Sequence, residues 1–315
     1  MKKNSLYLII FELSVFAFFV LLNCYAQTEA NRSPLGYAVK RGNVNAVKDL
    51  LSKGANPNKT QDHETLLVLS TKLKTDEIFN LLVNAKGIDL DALSTIIFKG
   101  NGSKYTRTAL ISAVHEMKIE QVRTLLEKGA NPDLFDKSID QDGNIKASHT
   151  ALMNAIILNR PKAVEIARIL IENSRNIDAK AISVNDGLTA LNMATKYPLY
   201  NDLSKLMIKK GAKLTIQEAN DPAISALESA IQGNNTYMVN YLLNSAALLN
   251  EKKDNALMHQ SLALRIENLK TIKILLDSGI DTNIQFTNII YPSLIVSTKG
   301  KDPKEQDLQI SRGPM

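Results

Sequence analysis

The chain has 315 residues, 44% of them hydrophobic, 22% charged and 5% aromatic, with no tryptophan and a formal net charge of +6. Such a length holds roughly two ordinary domains, and few aromatics beside many Leu, Ile and Ala favour a helical core over stacked sheets. The positive charge is spread along the chain without a basic block interleaved with aromatics, which argues against a nucleic-acid groove. The single cysteine, Cys24, rules out an intramolecular disulfide and any metal site made of cysteine pairs.

The first element is residues 1–26, where Lys2 and Lys3 precede an apolar run from Leu6 to Leu22, broken by Glu12 and Ser14. A basic start followed by an apolar stretch is the layout of a secretory signal. It also fits an uncleaved membrane anchor, for which about 17 apolar residues is the lower limit. Glu12 stands against a stable span, since a carboxylate at mid-bilayer costs ~2.5 kcal/mol or more. Cys24-Tyr25-Ala26 has the small-x-small form of a cleavage site before Gln27. Leu21-Leu22-Asn23-Cys24 instead resembles a bacterial lipoprotein signal, which implies lipid on Cys24 and departs from that family at Asn23, where a smaller residue is usual. In every case the rest of the chain is expected to leave the cytoplasm for the periplasm, the envelope or the medium.

Downstream, one phrase recurs. Residues 50–58 read Leu-Leu-Ser-Lys-Gly-Ala-Asn-Pro-Asn and residues 125–133 read Leu-Leu-Glu-Lys-Gly-Ala-Asn-Pro-Asp, with weaker copies at 207–212, 242–246 and 275–280. A second phrase precedes each of them: Ser33-Pro34-Leu35, Thr65-Leu66-Leu67, Thr108-Ala109-Leu110, Thr150-Ala151-Leu152, Thr189-Ala190-Leu191, Ser225-Ala226-Leu227 and Asn255-Ala256-Leu257. Three residues after the Leu stands a small residue, Ala38, Ser70, Ala113, Ala155, Ala194 or Ala230, replaced in the last copy by Gln260. The hydroxyl suits a helix cap, the small residue a close helix crossing, and the Gly a left-handed helix end.

The order and spacing of these phrases resemble the ankyrin repeat over roughly residues 31–288, about seven copies, although the family's His after the Leu is missing throughout. The resemblance implies an all-α solenoid of stacked helix pairs with short β-hairpin fingers. Residues 289–315 read as a degenerate eighth copy from Pro292 or a flexible tail. Extra length around Lys99-Gly100-Asn101-Gly102, Asp142-Gly143 and Asn185-Asp186-Gly187 predicts lengthened fingers leading into the third, fourth and fifth copies.

No phosphate loop, nucleophile elbow or zinc-protease motif is present, so neither an enzyme nor a cofactor is expected. Ser138-Ile139-Asp140-Gln141-Asp142-Gly143 resembles a calcium loop, but Ser138 and His149 stand where ligands are needed, and it reads as a hairpin tip. The ankyrin resemblance implies a monomer that binds another protein through a concave face of first helices and fingers. That face maps to Tyr37, Lys40, Arg41, Ser112, His115, Glu116, Asn154, Met193, Lys196 and Tyr197, with Tyr37, Arg41 and Tyr197 as the preferred anchors because Tyr and Arg dominate binding hot spots.

Overall fold

The structure, a computed structural model, describes residues 33–97, 100, 102–183, 188–218, 221–245, 274, 295–299 and 307–311. The targeting segment with Cys24, the seventh repeat phrase at Asn255 and the start of the eighth at Pro292 lie outside the described residues. The chain divides into two compact units, residues 1–190 and 191–315.

The first unit stacks four helix pairs: α1 (Pro34–Lys40) with α2 (Val44–Ser52), α3 (Leu66–Thr71) with α4 (Glu77–Val83), α5 (Ala109–His115) with α6 (Ile119–Glu127), and α7 (Ala151–Leu158) with α8 (Pro161–Asn173). The recurring hydroxyl residue starts each first helix as a cap. Ser33 Oγ accepts from the Gly36 N–H, Thr65 Oγ1 from Val68, Thr108 Oγ1 from Ile111 and Thr150 Oγ1 from Met153. Each such bond satisfies a backbone donor that the helix itself leaves unpaired.

The second helices close on the Gly-Ala pair. Gly54 and Gly129 sit at φ 82° and 96°, where a side chain would strain the backbone. That geometry brings the Ala55 N–H onto the Leu50 carbonyl at 3.0 Å and the Ala130 N–H onto Leu125 at 2.9 Å, closing the turn over the helix's last free carbonyls. After Arg160 the second helix is longer: α8 has 13 residues where α6 has nine. Pro161 takes the first helical position, which needs no N–H.

Leu35, Val39, Leu67, Leu110, Val114, Leu152 and Ile156 from first helices meet Val47, Leu82, Val122, Leu125, Ile166 and Leu170 from second helices, all of them buried. Each such side chain contributes roughly 1.5–3 kcal/mol on burial. Ala38, Ala113 and Ala155 are likewise buried, as is Ser70 at the same place in the second copy. The end of the stack shows what a neighbour contributes. Leu125 is fully buried, whereas Leu50, at the same place in the same phrase, is half-exposed, since no described repeat precedes it.

In the second unit α9 (Ala190–Thr195) leads through the 3-10 turn Pro198–Tyr200 into α10 (Asn201–Lys209), and α11 (Ala226–Gln232) pairs with α12 (Thr236–Asn244). Two strand pairs, β8 (Thr215–Glu218) with β9 (Asp221–Ser225) and β10 (Ile295–Lys299) with β11 (Asp307–Ser311), are antiparallel, the latter within residues 289–315. Among the described residues no helix is long and apolar enough to cross a membrane.

Gly233, just after α11, lies against the backbone of Lys196: an added Cβ would stand 2.3 Å from its carbonyl oxygen. Backbone cannot move aside as a side-chain tip can. Gly233→Ala should therefore destabilise the second unit by about 1–3 kcal/mol, read as a lower urea midpoint. An unchanged midpoint would mean that this contact is looser than described.

Candidate partner-binding surface

Fingers join the repeats of the first unit. A short hairpin of β1 (Thr60–Gln61) and β2 (Glu64–Thr65) turns through Asp62 and His63, both at positive φ. The longer fingers are β3 (Ser94–Ile97) with β4 (Lys104–Arg107), then β5 (Lys137–Ile139) with β6 (Ile145–Ser148), followed by β7 (Ile182–Ser183). They do not stand apart as separate hairpins. β4 pairs with β5 and β6 with β7, giving one antiparallel five-stranded sheet in the order β3-β4-β5-β6-β7. The Thr95 N–H donates to the His63 carbonyl at 3.0 Å, which ties β3 to the hairpin before it.

Successive strand residues point to opposite faces. One face of β4 carries Tyr105 and Arg107, and its side chains turn toward the first helices. Tyr105 OH donates to Asp136 Oδ2 at 2.5 Å and lies 3.2 Å from His115 Nε2 at the end of α5. Asn154 Nδ2, on α7, donates to the same Asp136 oxygen at 2.8 Å, and the His149 N–H donates to Oδ1 at 2.7 Å. The guanidinium of Arg107 lies 5.7 Å from the centre of the Tyr105 ring. Asp136 is 1% exposed, so these donors replace the water its carboxylate gives up. Two fingers and one first helix thus meet at one carboxylate, with His115 of a second first helix beside Tyr105.

The surroundings set the protonation of this hub. Burial, reinforced by the Asp136 charge, pushes the Tyr105 hydroxyl well up, so it keeps its proton and stays a donor. Burial, with Arg107 nearby, pulls His115 below its ordinary 6.5 and keeps the ring neutral near neutral pH. At the tip of β5–β6, Asp140 accepts from the N–H groups of Asn144 and Asp142 at 2.8 and 3.0 Å and pairs with Lys146 Nζ at 2.9 Å. Its pKa lies at about 2, with Lys146 the first cause. The carboxylate of the calcium-like stretch is thus used to fold the hairpin. Among the described residues no three His, Cys, Asp or Glu are placed to hold a metal.

The residues mapped to a concave face divide in two. Tyr37 is 58% exposed, with Arg41 stacked 5.2 Å from its ring centre, and Lys40 is exposed but paired with Asp62 at 2.5 Å. Glu116 is exposed and His115 half-buried beside Tyr105. Ser112, Asn154 and Met193, by contrast, are buried and must be withdrawn from any docking face. The reason is their place in the repeat. Each stands four residues after the hydroxyl residue of its phrase, and in the first unit that side meets what comes before it: Ser112 Oγ lies 2.8 Å from Thr71 Oγ1, and Asn154 bonds Asp136. Tyr37 occupies that same column and is exposed because no described repeat precedes it. In the second unit Lys196 is half-buried, and Tyr197 is 36% exposed, edge-on to Tyr200 with ring centres 6.4 Å apart. Cys24 lies outside the described residues. An open groove of about 1020 Å³ lies between α2 and α4, lined by Val44, Lys48, Leu51, Asn80, Leu81 and Lys86, apart from all of these residues.

Tyr105, Arg107 and Asp136 were not among the mapped residues. Their local signal is only a hairpin flanked by β-prone residues, and nothing within one finger shows that it pairs with the next.

Comparison with known proteins agrees with this architecture. The family model for ankyrin repeats in three copies matches residues 14–94 and 35–136. A fowlpox virus (strain NVSL) protein named for its ankyrin repeats is 33% identical over 102 residues, 31% of this chain. That match spans only 29% of the viral protein's length. Among solved structures, the ankyrin repeat domain of Bcl-3, a member of the IkappaB protein family, is 25% identical with a TM-score of 0.54, covering 78% of this chain and 98% of that one.

Two outcomes follow from the hub. Tyr105→Phe removes one donor from a buried carboxylate and should lower stability by about 1.5–3 kcal/mol, measured by urea unfolding; no change would show that the Asp136 bond contributes nothing. His115 has a folded pKa below its unfolded one, so below about pH 6.5 the unfolded chain binds more protons and stability falls as pH drops toward the lowered value. Arg107, Glu116 and Asp136 modulate this proton. His115→Gln should flatten the decline below about pH 6.5, and an unaltered slope would assign it to other groups.

Proposed function

Because the chain is built from ankyrin repeats, we propose that it is an exported scaffold that holds another protein and catalyses no reaction. The observation that carries this reading is the five-stranded sheet raised on the helix pairs of the first unit and locked to them at Asp136. A rigid, preorganised surface loses little conformational freedom on binding. It suits recognition better than turnover.

The convergence of Tyr105, His115, Asp136 and Asn154 invites an enzymatic reading, since grouped titratable residues with shifted pKa values often mark active sites. The bonding speaks against it. Tyr105 is pushed up and holds its proton, and the Asp136 carboxylate is spent on Tyr105, Asn154 and the backbone of His149. The groups position one another.

Contact with a partner is assigned to the outer ends of the first helices and to the fingers. The exposed residues of the first unit, Tyr37, Lys40, Arg41 and Glu116, supply an aromatic and charged rim, the composition that favours hot spots. Export rests on the amino end alone: Lys2 and Lys3, then Leu6–Leu22, with cleavage before Gln27, lipid on Cys24 or retention as an anchor as the three fates.

Two measurements check these claims. The full chain, immobilised, should retain a defined protein from source-cell envelope extract. Tyr37→Ala with Arg41→Ala should weaken that retention by at least about tenfold; equal retention would remove the α1 end from the surface. Mass spectrometry of the protein's own amino end in source cells should find Gln27, or a lipidated Cys24, or an intact chain in the membrane fraction. An intact chain in the cytosol would contradict export.

A further inference from the structure

Face-to-face pairing across the sheet places one row of side chains on the side opposite Tyr105 and Arg107. Ile97 pairs with Lys104, Lys104 with Ile139, and Ile139 with Ile145, so these four residues line up across four strands. The neighbouring row runs Thr95, Thr106, Lys137. Ile97 is 43% exposed and Ile145 38%, and Lys104 is exposed between them. Leu93, just before β3, is 50% exposed. Exposed isoleucines clustered on a rigid sheet are uncommon on a surface that meets only water.

The charges of this row are unbalanced. Lys40, Lys72, Lys118 and Lys146 of the same unit each stand beside a carboxylate, on Asp62, Glu64, Asp76 and Asp140. Lys104 and Lys137 have no ion-pair partner among the described residues. The inward face spends its cation, Arg107, beside Tyr105. The outward face keeps its two lysines among isoleucines.

We propose that the outward row of the five-stranded sheet is the seat for an acidic, aliphatic-rich segment of another protein. Carboxylates of that segment would meet Lys104 and Lys137, and its aliphatic side chains would cover Ile97, Ile139 and Ile145. Opposite charge speeds and orients such docking, while a basic segment is repelled. This assignment rests on the scaffold reading and narrows it to a partner class and to one face.

The test selects a displayed random-peptide library on the full chain and sequences the retained peptides. Enriched peptides should carry Asp or Glu between Leu, Ile or Val, and should bind less tightly as salt is raised. Their affinity should fall at least about tenfold in Lys104→Glu with Lys137→Glu. Lys104→Gln with Lys137→Gln, which removes charge without reversing it, should give a smaller loss. Arg168→Glu, an exposed charge reversal on α8, should leave the affinity unchanged. Several outcomes overturn the assignment. Basic or uncharged enriched peptides would do so, as would affinity lost in Arg41→Glu and kept in the lysine variants, which moves the seat to the helix ends and leaves the scaffold reading standing. Failure to enrich any peptide sinks both. Vesicles of phosphatidylglycerol that bind the chain through the same lysines while no peptide does would reassign the row to a lipid surface.

Discussion

A single helix pair of this chain cannot bury its own apolar face. Leu125 is fully buried while its counterpart Leu50 stays half-exposed; a described repeat precedes the first, and none precedes the second among the described residues. Every repeat is therefore stabilised by its neighbours. Caps and left-handed helix ends fix the shape of each pair, but the apolar contact between pairs holds the unit together.

Stacking has a consequence for the fingers. Once the helix pairs are held side by side, their connecting loops are brought within strand-pairing distance. The fingers around Gly102 and Gly143 are long enough to reach one another, and they become one sheet instead of separate tips. A sheet raised in this way must be fastened at its base. The buried Asp136 does so by accepting from a strand, a loop backbone and a helix at once. Breaking one donor would leave part of a charge unsolvated, which gives the joint its stiffness. The sheet thereby divides its residues between an inward face that builds the joint and an outward face turned away from it.

Much of the fold was legible in the sequence. Ser33, Thr65, Thr108, Thr150 and Ser225 cap first helices as their spacing implied, and Gly54, Gly129 and Gly211 take positive φ at the ends of second helices. These are local effects, set within a few residues. The surface was less legible. Ser112, Asn154 and Met193 looked like groove residues because helix phase alone does not say which side a neighbour covers. Tyr37 is exposed as the first member of that column among the described residues. The joint at Asp136 escaped notice because Tyr105 and Asp136 lie on different fingers, and the sequence carries no sign that those fingers pair.

The proposed meeting of the first unit with a protein partner lies at its sheet and first-helix ends. Hydrogen exchange compared between the free full chain and the chain bearing a captured partner tests it most directly. The account expects slowed exchange in β3 to β6 and at the ends of α1 and α5, with α2, α4, α6 and α8 unchanged. Protection confined to those second helices, or to the groove between α2 and α4, would contradict it.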